Sequence, residues 1–288
     1  LWAGLFELLD IDFFSELFED EHFLALALPI SASIGIALGR SSENVVKALK
    51  RILLIICRVL LPMVALIVFL FLIALAFQGL GKLWDTDMAA SLLLTIQILA
   101  IFLFNGAVQL GDTPPKAPVL KYVTEGLALA LPVLGGLALY AMLLRINQYG
   151  FTPERIWALA ACVVAGLYGV GYAVAVVMSH VKPKGWLAYM QPVNVGMAIF
   201  IPVLMILLHL PGLDPLAMSA HSQYERLLQP ETEAETFTLY GMRYEYGRQG
   251  VEYLQYLEEN LDTMVEQGVM SEDKAEVLAY RLENEEYW

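Results

Sequence analysis

The chain has 288 residues, of which 58% are hydrophobic and 16% charged, with a formal net charge of −13; soluble domains carry roughly 25% charged residues. The acidic balance argues against nucleic acid as a partner, because phosphates would be repelled. The charge is also partitioned: residues 211–288 hold 17 acids against five bases, residues 1–21 hold seven acids and no base, and residues 22–210 hold twelve bases and six acids.

In chain order, LWAGLFELL reads as the end of a preceding membrane helix or as an interfacial one, and IDFFSELFEDEH mixes aromatics with acids as a headgroup-region segment does. The chain opens at Leu1 without a basic n-region and small-residue cleavage site, which reads as a fragment of something longer. Apolar runs then recur, and a run of ~18 residues or more crosses a hydrocarbon core of ~30 Å. Span one is Phe23–Leu38, short and interrupted by Pro29. The basic loop RSSENVVKALKR leads to span two, Ile52–Leu80, which is longer than a bilayer needs and tilts or emerges into water. Span three is Met88–Leu110, span four Val123–Leu144, span five Ile156–Met178 and span six Val193–Leu210. Between spans three and four, GDTPPKAPVLK is too proline-rich to be helical throughout. In span five, Gly166, Gly169 and Gly171 let a neighbouring helix approach closely. Gly150, Thr152 and Pro153 punctuate a helix end and the next helix start; Asp214–Pro215 and Ser271 repeat the N-cap device.

Loops after spans one, three and five carry Arg40, Lys47, Lys50, Arg51, Lys116, Lys121, Lys182 and Lys184, against Lys82, Arg145, Arg155 and Arg226 on the other side. The positive-inside rule makes the first set cytoplasmic and both acidic ends extracytoplasmic. After Pro211 the chain changes character. TFTLYGMRYEY alternates weakly and suggests a short strand, while Val251, Leu254, Leu257, Leu261 and Val265 trace an amphipathic helix. Three stretches are expected: an interfacial acidic segment over 1–22, a transmembrane helical domain over 23–210, and an acidic extracytoplasmic segment over 211–288 that packs on the outer face of the membrane domain.

Polar residues inside the apolar runs are the first candidates for function. Arg58 lies near the start of span two and either snorkels to the cytoplasmic face or pairs with Glu125. Asn105, Gln97 and Gln109 in span three read as interhelical hydrogen-bonding groups before they read as a transport path. A second group gathers on the outer face. Arg145, Tyr149, Thr152 and Arg155 cluster there, with Asp214, Ser219, Ser222, Gln223 and Arg226 on the same side and Arg243 and Arg248 farther along the tail. These arginines either dock the acidic tail or hold an anion such as a lipid headgroup or phosphate, which arginine grips in a bidentate way. Ser222 has only His221 beside it, and adjacent helical residues face apart, so serine catalysis is not expected. His22, His180, His209 and His221 show no ligand spacing, and Cys57 and Cys162 read as small buried apolar residues, so no metal site and no cofactor are expected.

The strings LFELLDIDFFSELFED, FQGLGKLWDTD, LRINQYGFTPERIWAL, LPGLDPLAMSAHSQYERLL and TFTLYGMRYEYGRQG, in this order, resemble a bacterial membrane family catalogued as domain of unknown function 4153. The resemblance spans nearly the whole chain and implies a longer parent protein with further spans before Leu1. Members are sometimes labelled two-component sensors, but no kinase or receiver motif occurs here. The family pattern favours FDFxxLRF where this chain has TFTLYGMRY: Arg243 keeps the arginine, and Thr236 and Thr238 stand at acidic or apolar positions. The resemblance carries no assigned activity.

The expected fold is all-α, a polytopic bundle of about six spans with a mainly helical acidic C-terminal segment, in a bacterial inner membrane. The leading function is non-catalytic: sensing, scaffolding or envelope assembly, with membrane lipids around the bundle and an envelope protein meeting the tail. One alternative is a transporter or lipid-handling protein, motivated by Pro29, Pro62, Pro132 and Pro202 breaking four spans. Another is an envelope-lipid enzyme, which needs Arg145, Arg155, Asp214 and Arg243 to converge on one pocket.

Overall fold

A computed structural model describes residues 13, 17–18, 20–81, 88–108, 118–182, 185–235 and 237–284. The stretch LWAGLFELL, the loop 82–87, the segment 109–117 with Gln109 and Lys116, Lys184 and Thr236 lie outside the described residues. The chain divides into two compact units, 1–57 and 58–288.

The first unit holds α1, Glu21–Ser41, and the start of α2, Glu43–Gln78. Asp20 caps α1 by accepting the Phe23 N–H at 2.6 Å, which satisfies one of the donors that a helix start leaves open. Two sequence expectations fail here. α1 runs through Pro29 without a break, and the basic stretch 43–51, taken as loop, is the first part of the 36-residue α2. Nothing in ENVVKALKR breaks a helix, and Lys47 pairs with Glu43 one turn back at 2.7 Å.

In the second unit the remainder of α2 is followed by α3 (Ala89–Val108), α4 (Pro118–Tyr149), α5 (Pro153–Val181) and α6 (Met190–Leu207). α4 and α5 form the most extensive pair, α3 packs on both, and α6 lies along α5. Small residues set that closeness. A Cβ added at Gly169 would stand 2.9 Å from the carbonyl carbon of Leu131, and one at Gly135 would stand 2.9 Å from the Cα of Gly166. The glycines thus let two helix backbones touch, where association in lipid depends on close van der Waals contact. Pro62, Pro132 and Pro202 also sit inside continuous helices.

Among the described residues six helices, the 36-residue α2 among them, are long and apolar enough to cross a bilayer. Their outward residues include Leu26, Ile67, Phe77, Leu99, Val174 and Ile199, all exposed. Apolar surface on that scale is not left open to water by a soluble monomer. The chain is therefore an all-α polytopic membrane protein.

Past α6 a run of turns leads to α7 (Pro215–Leu228), a π-helical turn (Gly241–Glu245), α8 (Gly247–Glu266) and α9 (Glu272–Glu283). The caps fall where the sequence places them: Asp214 accepts the Leu216 N–H at 3.1 Å, and Ser271 accepts from Lys274. The short strand expected in TFTLYGMRYEY is instead this π-helical turn. Its apolar residues Leu239, Met242 and Tyr246 are buried with Leu227, Leu257 and Leu278 in one core. α8 lies so close to the turn that a Cβ on Gly250 would run into the Met242 carbonyl. Helical spacing, not strand alternation, brings those side chains to one side.

Candidate functional site

Polar side chains collect at both ends of the α3–α6 group. At one end meet the C-termini of α3 and α5 and the N-termini of α4 and α6. There Asn105 Nδ2 donates to the Tyr172 hydroxyl at 2.6 Å, that hydroxyl donates to Asn194 Oδ1 at 2.6 Å, and Asn194 Nδ2 donates to Asn105 Oδ1 at 2.9 Å. This closed ring joins α3, α5 and α6. The Tyr172 ring, fully buried, stacks on Phe104 at 5.1 Å. Each such interhelical bond contributes on average ~0.6 kcal/mol in lipid, so the ring specifies how three helices meet more than it stabilises them.

At the same end the buried Glu125 carboxylate accepts from the Trp186 indole at 2.9 Å and lies 3.2 Å from His180 Nε2 and 3.9 Å from Lys121 Nζ. Of the two readings of Arg58, the pair with Glu125 does not form. Arg58 is exposed and donates Nε to the Ala107 carbonyl at 3.3 Å. Gln97, fully buried, donates to the carbonyls of Ala165 at 2.9 Å and Leu131 at 3.3 Å, tying α3 to α5 and α4, while its Oε1 has no partner. A cleft of about 400 Å³ runs between α3 and α5, lined by Ile98, Phe102, Asn105, Val164 and Tyr168 among others. Asn105 and the Tyr168 phenol are polar groups in its lining. Arg58 and Glu125 are not part of it.

The other end carries the arginines. α4 stops at Tyr149 because Gly150 takes φ +72°, a left-handed conformation that side chains with a Cβ rarely adopt. Thr152 then caps α5, with Pro153 in its first turn. α7 grips this short turn. Ser222 Oγ accepts the Phe151 N–H at 3.0 Å, and Gln223 Nε2 donates to the carbonyls of Phe151 at 2.8 Å and Tyr149 at 3.0 Å. A Cβ on Gly150 would stand 2.8 Å from that amide nitrogen, so the glycine serves both the turn and the contact. The Tyr149 carbonyl accepts twice more, from Arg155 Nη1 at 3.0 Å and Arg226 Nη1 at 2.7 Å. Arg155 also reaches the Gly150 carbonyl at 2.9 Å. Arg145, Arg155 and Arg226 all stand over the Tyr149 ring, with guanidinium carbons 5.7, 5.4 and 5.7 Å from its centroid.

Of the residues singled out on this face, Arg145, Tyr149, Thr152, Arg155, Ser222 and Arg226 come together. Three others stand apart. Asp214 caps α7 and lines a second cavity of about 400 Å³ with Tyr246, Arg248 and Glu252. Arg248 is paired with Glu252 at 2.6 Å, and Arg243 lies exposed on the π-helical turn. Neither Arg145, Arg155 nor Arg243 lines that cavity, so the convergence required of an envelope-lipid enzyme is not met there. Burial raises the Tyr246 phenol above its usual pKa, and Glu245 and Glu154 push it the same way.

The sequence reading singled out neither Tyr172, Asn194 nor Trp186 and left His180 without a role. Asn194 inside an apolar run was a usable signal, since polar groups in lipid seek partners. Trp186 was not, because only the turn after α5 brings it to Glu125.

The family model described as Domain of unknown function (DUF4153) matches residues 1–242, which include α1 to α7 and stop before α8. Neither a curated protein nor a solved structure matches the chain. With more than four-fifths of its length covered, the chain belongs to the DUF4153 family.

Proposed function

We propose that this protein is a non-catalytic component of a bacterial inner membrane, acting in sensing, scaffolding or envelope assembly. Its acidic C-terminal segment lies on the extracytoplasmic side and offers the contact surface for an envelope protein. The observation that carries this reading is the grip of α7 on the Tyr149–Phe151 turn. One carbonyl receives three side-chain donors, and three of the tail's side chains, Ser222, Gln223 and Arg226, pair with the turn's backbone. A tail fixed in this way transmits a force or a shift to α4 and α5 instead of trailing from the membrane. The basic residues that follow spans one, three and five, many of them at helix ends, support the orientation. Exposed carboxylates on α8, among them Glu258, Glu259 and Asp262, supply the charged face.

Chemical cross-linking in intact cells, followed by purification of the full chain, tests the reading. A defined envelope partner is expected, with its yield reduced about tenfold when Glu258, Glu259 and Asp262 are changed to Lys, since charge reversal at a rim chiefly slows association. Absence of any cross-linked partner with the tail intact contradicts it.

A second reading, lipid handling, draws on the apolar cleft between α3 and α5 with Asn105 in its wall. It no longer draws on broken helices, because Pro29, Pro62, Pro132 and Pro202 interrupt none of them.

A further inference from the structure

The arginine cluster on Tyr149 is more than a fastening. In a chain with 30 acidic residues, three guanidiniums gather on one ring. Among the described residues, Arg155 and Arg226 direct their hydrogen bonds only to the backbone carbonyls of Tyr149 and Gly150. Carbonyl oxygens and a ring face offset part of a guanidinium's charge. They do not cancel the mutual repulsion of Arg155 and Arg226, which an anion held beside them would relieve.

Position and donor chemistry narrow the anion. Arg145 lies in the last turns of α4 and Arg155 in the first turn of α5. Both helices are long enough to cross the bilayer, so these ends stand at the level where headgroup phosphates lie, and basic pockets there take anionic headgroups. The planar guanidinium fork matches the oxygens of a phosphate. Only Nη1 of Arg155 and of Arg226 is engaged with the backbone, which leaves further N–H donors on each.

We propose that Arg145, Arg155 and Arg226, gathered on the Tyr149 ring, form a binding site for a phosphate group at the membrane surface. An anionic lipid headgroup and free phosphate share that chemistry. The site needs no protein partner, so it stands or falls apart from the reading above.

The test uses the full chain purified in an uncharged detergent. Native mass spectrometry follows retention of phosphatidylglycerol and of phosphatidylcholine, and a parallel thermal-melting series uses inorganic phosphate. Phosphatidylglycerol is expected to bind about tenfold more tightly than phosphatidylcholine. That preference is expected to vanish in Arg145→Gln and weaken in Arg226→Lys, which keeps the charge and a donor to Tyr149 but loses the fork. Arg248→Gln, outside the cluster, keeps the preference. A rise in melting temperature with inorganic phosphate that Arg145→Gln removes, without lipid preference, supports the site and identifies free phosphate as its source. Equal retention of the two lipids with no phosphate effect overturns the proposal. So does a preference or phosphate effect that survives both Arg145→Gln and Arg226→Lys.

Discussion

Replacing Gly169 with leucine is expected to lower the unfolding free energy of the detergent-solubilised protein by ~3 kcal/mol, the upper part of the range for overpacked sites. The first atom beyond Cα already meets backbone: a Cβ there stands 2.9 Å from the Leu131 carbonyl carbon, 3.0 Å from its oxygen and 3.1 Å from the Pro132 nitrogen. Backbone cannot swing aside as a side-chain tip can, so α4 and α5 must separate. Separation also draws the Ala165 and Leu131 carbonyls away from the Gln97 amide that bridges them. Gly136 provides the control. A Cβ there meets nothing within 4 Å, so Gly136→Ala should be neutral or slightly stabilising, as a helix gains up to ~1 kcal/mol from Gly→Ala at an open position. Unfolding in dodecyl sulfate, followed by circular dichroism, separates the two. Equal effects would show that α4 and α5 do not meet through Gly169.

The second large effect lies in the tail. Arg281 on α9 is buried and donates Nη1 to the carbonyls of Ala234 and Phe237 in the segment before the π-helical turn. Burial lowers its pKa from the usual arginine value and Glu235 opposes that shift; a guanidinium is not deprotonated in proteins, so the donor is charged. Arg281→Met keeps the bulk of the stem but removes bonds from a charged donor, worth ~1.5–3 kcal/mol each, and leaves acceptors unmatched. A loss of ~2–4 kcal/mol in the local stability of residues 230–284 is expected. Lys274→Met, which removes one exposed bond to the Gln229 carbonyl at 2.7 Å, should cost about 1 kcal/mol. Hydrogen exchange across the tail distinguishes them: Arg281→Met should speed exchange in α9 and in residues 231–245 far more than Lys274→Met does. If the two variants behave alike, Arg281 is not what fastens that segment.

Local signals in the sequence carried most of the architecture. Asp214–Pro215, Thr152–Pro153, Ser271 and Gly150 act through atoms within three or four residues, so reading them needs no tertiary knowledge. The apolar runs located all six long helices, because lipid imposes length and composition on each separately. What failed depended on neighbours. The prolines at 29, 62, 132 and 202 looked like breaks, yet each sits inside a helix that continues through it. TFTLYGMRYEY looked like a strand until burial of Leu239, Met242 and Tyr246 in one core favoured a helical turn.

The residues around the turn between α4 and α5 were legible as a group because QYGFTPER and the start of α7 are rich in donors. Their roles were not. The arginines were expected to meet tail carboxylates, and Arg155 and Arg226 bond backbone carbonyls instead. Gln223, noted only as a neighbour, proves to hold two carbonyls of the turn at once. Which partner a guanidinium takes depends on where α7 docks, and no pattern within either segment encodes that.

The Phe151 amide reports on this docking most directly. It lies in the turn between α4 and α5, outside the hydrogen-bond ladder of either helix, and donates to Ser222 Oγ at 3.0 Å. Hydrogen exchange at this single amide, followed by NMR in detergent micelles, should be slow in the wild-type chain. In Ser222→Ala it should speed up while the interiors of α4 and α5 stay protected. Exchange at the rate of an open turn in the wild-type protein, or a rate indifferent to Ser222→Ala, would mean that the tail is not held on the membrane helices.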